Sequence, residues 1–314
     1  MALRKQDDKA ENDLGFGNQA ITQRIINRDG SINVKRTGQS YFNTADNYHH
    51  MITMSWSKFW LIVLSGYLLV NLLFALIYVS LGPGNLDGMA GKTDMSHFLD
   101  AFFFSAQTIS TVGYGHISPV GVTTNTVAAF ESMMGLLAFA LATGLLYGRF
   151  SLLTAKIMYS ERMLVAPYRD GINGIMFRLA NKRRNLLIDM TADVTLSFND
   201  MMNGKVVRKF IPLKLERSSV QLLTLSWTVV HPLNEDSPLK DVTLQELQDK
   251  QATFNVILKA FDDTFSQTVQ SRTSYQYNEM IWGGKFIPTF FAGENGQVIL
   301  DLSKLSTYQP AELN

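Results

Sequence analysis

Thr111-Val112-Gly113-Tyr114-Gly115 decides how this chain reads. A cation stripped of its water needs a ring of oxygens in place of its hydration shell. Backbone carbonyls supply that ring when successive residues turn their C=O groups the same way. Gly113 and Gly115 lack a Cβ and can reach the dihedrals this requires. Thr111 can add a hydroxyl at the inner end, and Tyr114 can point outward and brace the loop. One chain gives a quarter of each ring, so four copies must surround one axis, with cation sites at Thr111, Val112, Gly113 and Tyr114.

The flanks fit this reading. His97 to Ile109 is apolar but only 13 residues long, too short to cross a bilayer as a helix. It reads as a re-entrant helix whose partly negative C-terminal end faces the cation path. The glycine-rich stretch after it is tolerated at membrane depth only where buried in protein or lining water. On either side lie two spans. Phe59 to Leu81 runs 23 residues without a charge, enough to cross. Val120 to Phe150 is the second, rich in small residues that let membrane helices pack closely. It holds one acid, Glu131, which either supports the loop from behind or hydrogen-bonds nearby hydroxyls or backbone.

Lys and Arg number eight in the first 58 residues and one, Lys92, between the spans. By the positive-inside rule both termini are cytoplasmic and the re-entrant loop enters from outside. Residues 1–43 read as a mobile cytoplasmic arm with a short strand at 32–34. No cleavable signal is expected. Residues 44–57 carry Tyr48, Met51, Ile52, Met54 and Trp56 and read as an interfacial slide helix. Residues 58–156 form the pore domain and 157–314 a cytoplasmic β-domain. In the latter, alternation over 186–196 and runs at 220–231, 253–261, 274–282 and 297–302 predict strands. Thr243 and Glu246 form a capping box for a short helix over 244–250. About eight strands argue an immunoglobulin-like sandwich.

Composition removes other classes. The net charge of +1 gives no footprint for nucleic acid. The absence of cysteine excludes disulfides, thiolate metal sites and a cysteine nucleophile. Five histidines in no triad or ligand spacing argue against an enzyme, and no cofactor or resident metal is expected. His49 and His50 point about 100° apart on a helix and make a poor chelate. Lys182, Arg183 and Arg184 read as a solvated basic loop.

Four stretches beyond the five-residue motif carry a resemblance: DAFFFSAQT (100–108), FRLANKRR (177–184), VHPLNEDSPL (230–239) and SYQYNEMIWG (274–283). In this order they resemble the inward-rectifier potassium channel family, its prokaryotic branch in particular, over about residues 44–308. The motif itself is the known potassium-filter sequence. The resemblance implies a homotetrameric, multi-pass channel of the cell (inner) membrane that conducts K⁺ passively. It places filter support at Gln107, where many members carry an acid, with Glu131 as its substitute. It puts Phe139 where strong rectifiers hold a pore acid, and a basic Arg208-Lys209 where they hold an acid in the vestibule. Weak polyamine block is therefore expected. Periodicity places Gly135 or Leu136, Phe139, Thr143, Tyr147 and Phe150 on one helical face. The resemblance makes Tyr147 the inner gate, with Gly144 allowing a bend. Residues 260–269 resemble a second, cytoplasmic constriction. Trp56, Lys58, Arg149 and Lys156 are the candidate contacts for an anionic lipid such as a phosphoinositide.

Two competing readings have their own marks. A potassium channel gated by a nucleotide- or Ca²⁺-binding domain would show an α/β domain with a glycine-rich phosphate loop, and none lies in 160–314. A membrane-anchored binding module would have no use for the re-entrant loop.

Overall fold

The computed structural model describes residues 24–35, 37–38, 44–82, 84–91, 93–151, 155–202 and 204–314. The chain divides into two compact units, residues 38–153 and residues 1–37 with 154–314.

The first unit is helical. Helix α1 spans Thr44–Thr53, α2 Trp56–Ser80, α3 Asp94–Ile109 and α4 Gly121–Ser151. At 1.5 Å per residue, the 25 residues of α2 and the 31 of α4 reach about 37 and 46 Å, against a hydrocarbon core of about 30 Å. Leu86–Asp87 pairs with Ser118–Pro119, closing the loop region that holds α3. Phe74, Ala75 and Tyr78 of α2, Ala101 and Phe104 of α3 and Ala128 of α4 form the core, with Leu86. The Tyr78 and Phe104 rings meet edge to face at 5.0 Å.

Helix α1 is shorter than the 44–57 read as an interfacial slide helix. It stops at Thr53, and Trp56 opens α2 instead, after Ser55 in an extended conformation. The apolar run of α2 simply begins earlier than its charge-free core, with Lys58 exposed in its first turn.

Among its described residues, the second unit is all-β but for the short helix α5, Leu244–Asp249, and a few 3₁₀ turns. One sheet orders the strands Gln267–Gln276, Thr253–Asp262, Leu187–Met202 and Lys205–Pro212, with Ser219–Leu222 also paired to Leu187–Met202. The other orders Met280–Trp282, Met163–Pro167, Asn173–Asn181 and Ile157–Tyr159, with Ser226–Pro232 also paired to Asn173–Asn181. Phe177 of one sheet meets Tyr275 of the other at 5.6 Å. Met190, Ala192, Val194 and Leu196 are buried while Asp189, Thr191 and Asp193 are exposed, the alternation of a half-buried strand. At Asp189, φ is +47°, and the register against 259–261 slips. That bulge shifts the alternation by one, which is why Leu187 is also buried. Helix α5 starts at the expected capping box: Glu246 N–H donates to Thr243 Oγ1 at 3.3 Å and Thr243 N–H to Glu246 Oε2 at 2.9 Å.

Three sequence expectations change here. The run 220–231 is two strands, because residues 223–225 carry the chain from one sheet to the other. The run 274–282 is likewise the end of one strand, a 3₁₀ turn at Tyr277–Glu279 and the start of another. The arm read as mobile is docked where it is described. Ile26 is 2% exposed, Arg24 pairs with Glu279 at 2.9 Å and the Arg28 guanidinium lies 4.2 Å over the Tyr275 ring. The expected strand at 32–34 reduces to one bridge, Ile26 to Ile32. Residues 1–23 lie outside the described residues.

The VHPLNEDSPL stretch is held by a buried imidazole. His231 Nδ1 donates to the Lys214 carbonyl at 2.7 Å, and Nε2 faces Ser237 Oγ at 2.8 Å. Burial pushes its pKa below 6.5. The unfolded chain therefore binds this proton first, so the folded domain loses stability as pH falls below about 6.5 and regains it above. Thermal unfolding of the protein in detergent from pH 8 to 5 should show that decline, and His231→Gln should flatten it. An unchanged slope in the variant would assign the decline elsewhere.

Candidate ion-conduction site

The site is built on α3. Thr93 caps it: Ser96 N–H donates to Thr93 Oγ1 at 3.2 Å, and Thr93 N–H to Ser96 Oγ at 2.9 Å. This box starts the helix at Asp94, three residues before the apolar run suggests. The loop ahead of it is tied down by Asp100, whose carboxylate accepts Ala90 N–H at 3.1 Å and Gly91 N–H at 3.0 Å.

The C-terminal end of α3 shapes the next five residues. Thr111 N–H donates to the Thr108 carbonyl at 3.1 Å. Val112 N–H and Gly113 N–H both donate to the Gln107 carbonyl, at 3.0 and 3.3 Å. The amides of the loop thus turn back onto the helix. Among the described residues, no hydrogen bond ends on the carbonyl oxygens of Thr111, Val112, Gly113 or Tyr114. Positive φ falls at every second residue: +58° at Thr111, +53° at Gly113 and +78° at Gly115. A β-branched residue in this region is strained, and such strain persists where surrounding bonds fix it. Tyr114 is 80% exposed in the single chain.

Behind the loop, three helices meet through polar side chains that are almost fully buried. Glu131 of α4 and Ser105 of α3 are 0% exposed and Tyr78 of α2 is 2% exposed. Tyr78 donates its hydroxyl proton to Glu131 Oε2 at 2.6 Å. Ser105 donates to Glu131 Oε1 and lies 3.1 Å from Asn71 Oδ1. Asn71 Nδ2 in turn donates to the Tyr67 carbonyl at 2.7 Å. Of this network the sequence singled out Glu131 alone. Close approach is set at Gly135, where a Cβ would stand 2.0 Å from the Ile109 carbonyl oxygen.

The opposite face of α4 is bare. Leu136, Phe139, Thr143, Tyr147 and Phe150 are exposed, Phe139 and Tyr147 at 75% each. Gly135 faces inward against α3, so the exposed row runs through Leu136. Gly144 has open space around it. Thr143 Oγ1 donates to the Phe139 carbonyl at 2.8 Å.

Arg149 is placed differently from its reading as a lipid contact. It is 8% exposed and donates to the carbonyls of Met51 and Met54 at 2.6 and 2.7 Å. Its guanidinium lies 4.5 Å from the Trp56 ring and 4.6 Å from that of Phe59. It ties the end of α1 to α4 and α2. Lys58 and Lys156 remain exposed. The basic Arg208-Lys209 pair is also less bare than its sequence suggests. Arg208 is buried, donating to Ser197 Oγ at 3.0 Å and Thr253 Oγ1 at 3.1 Å, and burial lowers its pKa. Lys209 pairs with Asp200 at 2.7 Å.

Two helices able to span a bilayer, a capped shorter helix and a glycine-rich loop between them, and an all-β domain after them have the build of an ion channel subunit. Comparison with known proteins agrees. Residues 66–151 match the ion channel family profile and residues 157–313 that of the inward rectifier potassium channel C-terminal domain. The chain is 37% identical over 292 residues to the inward rectifier potassium channel Kirbac3.1 of Paramagnetospirillum magnetotacticum, covering 92% of this chain and 97% of that one. It is 25% identical over 319 residues to ATP-sensitive inward rectifier potassium channel 12 of Gallus gallus, covering 90% of this chain and 72% of the relative. A similar match, 25% over 324 residues, links it to ATP-sensitive inward rectifier potassium channel 15 of Mus musculus, covering 92% and 83%. The chain belongs to the inward rectifier potassium channel family. It is a membrane protein of ion transport, and the family is one of channels, not enzymes.

Proposed function

We propose that four copies of this chain surround one axis and conduct K⁺ through rings formed by the carbonyls of Thr111, Val112, Gly113 and Tyr114, with the Thr111 hydroxyl below them. The observation that carries this is the set of four carbonyl oxygens without hydrogen-bond partners among the described residues, on a backbone with positive φ at 111, 113 and 115. K⁺ sheds its water for these oxygens and moves by knock-on between adjacent sites. In this reading α3 is the re-entrant pore helix, Gln107 anchors the filter amides, and Glu131 holds the pore helix from behind. Both termini are cytoplasmic, and the channel sits in the cell's inner membrane.

The exposed row on α4 lines the inner pore. Tyr147 converges fourfold to a steric and dewetting gate, with Thr143 above it and Gly144 as the place to bend. Phe139 offers no charge to a polyamine, so block by spermine is weak. Lys58 and Lys156 attract anionic lipid, each by about 1 kcal/mol. Trp56 anchors at the interface, and Arg149 couples α1 to the gate helix. The all-β domain transmits cytoplasmic signals to α4.

Uptake of ⁸⁶Rb⁺ into K⁺-loaded liposomes is the test. Uptake should be blocked by Ba²⁺ and spared by external Na⁺, and only weakly reduced by spermine. Tyr147→Ala should raise it severalfold. Silence in both the wild type and Tyr147→Ala, with the protein assembled, would sink the pore reading.

A further inference from the structure

One side chain at the filter's exit is uncommitted. His116 follows Gly115 directly and is exposed, and among the described residues its imidazole makes no hydrogen bond or ion pair. Its backbone, by contrast, is fixed. Gly88 packs on the His116 carbonyl so closely that a Cβ there would come within 1.9 Å of the oxygen. The strands on either side are paired, Leu86 to Pro119 and Asp87 to Ser118. Val120 N–H donates to the Asn85 carbonyl at 2.8 Å. The same pairing brings Asp87, exposed, to this rim. One of its carboxylate oxygens accepts Gly88 N–H at 2.9 Å, and the other makes no such bond among the described residues.

An imidazole is a ligand for Zn²⁺, Ni²⁺ or Cu²⁺ and has little to offer K⁺ or Ba²⁺, which take oxygen. A carboxylate completes mixed nitrogen and oxygen sets. Within one chain, no group of three or more His, Cys, Asp or Glu among the described residues could hold a metal. One imidazole and one carboxylate per chain are a fraction of a site, and symmetry supplies the rest. We infer that His116 and Asp87, with their symmetry mates, form an outer-mouth site for a divalent transition ion that blocks K⁺ passage when occupied. The inference rests on the fourfold pore proposed above. A divalent charge beside the last carbonyl ring repels K⁺ and obstructs its path.

Single-channel K⁺ currents in planar bilayers test it, with NiCl₂ added to each chamber in turn and BaCl₂ as a filter control. Ni²⁺ should block from one side only. In His116→Gln the half-blocking Ni²⁺ concentration should rise about tenfold or more, with Ba²⁺ block unchanged. The chain has no cysteine, so His116→Cys adds a sole thiol and should exchange Ni²⁺ sensitivity for Cd²⁺ sensitivity from the same side. Absent or two-sided Ni²⁺ block, or equal block in wild type and His116→Gln, overturns the site. A wild type without Ba²⁺-sensitive K⁺ current overturns the pore reading instead, and the site falls with it.

Discussion

Gly113→Ala should silence K⁺ flux while leaving the protein folded and assembled. Gly113 sits at φ +53°, where a Cβ costs about 1–2 kcal/mol. Nothing lies within 4 Å of that Cβ in the single chain, so the penalty there is one of backbone conformation and not of collision. Relief comes by rotating the Val112–Gly113 peptide, which swings the Val112 carbonyl out of its ring. The hold against that rotation is weak, since Gly113 N–H reaches the Gln107 carbonyl only at 3.3 Å. In a fourfold filter the strain recurs in each copy, about 4–8 kcal/mol in all. At about 1.4 kcal/mol per tenfold, a drop in flux of about a thousandfold or more follows. Thr111 shows why the effect is local. It carries φ +58° with a side chain, but its amide is tied at 3.1 Å to Thr108 in the last turn of the helix. The measurement is ⁸⁶Rb⁺ uptake, with size-exclusion chromatography confirming assembly. Selective uptake through an assembled Gly113→Ala channel would remove the carbonyl-ring assignment.

Much of this arrangement was legible in the sequence because its signals are local. A charge-free run, a short apolar run and a glycine alternation each need only neighbours in sequence to be read. The strands of the β-domain were legible where alternation is unbroken, as over 190–196. They were misjoined at 220–231 and 274–282, where a chain leaving one sheet enters another with the same apolar content. The exposed row through Phe139 and Tyr147 followed from helical spacing, but only the approach of Ile109 decided between Gly135 and Leu136. The place of Arg149 was not legible. A base at the end of a span looks the same whether it faces headgroups or caps α1, and its partners are backbone carbonyls of Met51 and Met54. The docking of Arg24 and Arg28 on the β-domain was missed for a similar reason. Glu279 and Tyr275 lie some 250 residues away, and the one local signal was the apolar pair Ile25-Ile26 within a polar arm. Ser105, Tyr78 and Asn71 had no mark of their own beyond being polar within apolar helices, which at membrane depth calls for a partner.

For Tyr78 and Ser105 that partner is Glu131, and Glu131→Ala should cost more stability than any other single change in the helical unit's polar network. The substitution leaves the Tyr78 hydroxyl buried without an acceptor, at about 1–3 kcal/mol, leaves Ser105 only Asn71 Oδ1 at 3.1 Å, and opens a cavity between three helices. Helix α3 then loses its polar tie to α4 and keeps only apolar packing, that of Ala101 and Phe104 in one core with Ala128 and that of Ile109 on Gly135. Since the filter amides hang from Gln107, two residues beyond Ser105, a shift of α3 moves the rings. Glu131→Ala should therefore lower the unfolding temperature and also weaken the discrimination of K⁺ against Na⁺. Glu131→Gln keeps the shape and an acceptor oxygen and should lose far less. Tyr78→Phe should cost about 1 kcal/mol in the wild type and almost nothing, or even a gain, in Glu131→Ala, where its hydroxyl is already orphaned. That non-additivity, within the 0.5–3 kcal/mol known for contacting pairs, separates a working hydrogen bond from mere proximity. The readouts are thermal unfolding in detergent for the four members of the cycle and Na⁺ competition of ⁸⁶Rb⁺ uptake. Additive effects of Tyr78→Phe and Glu131→Ala, or wild-type stability and selectivity in Glu131→Ala, would show that the network does not hold the filter.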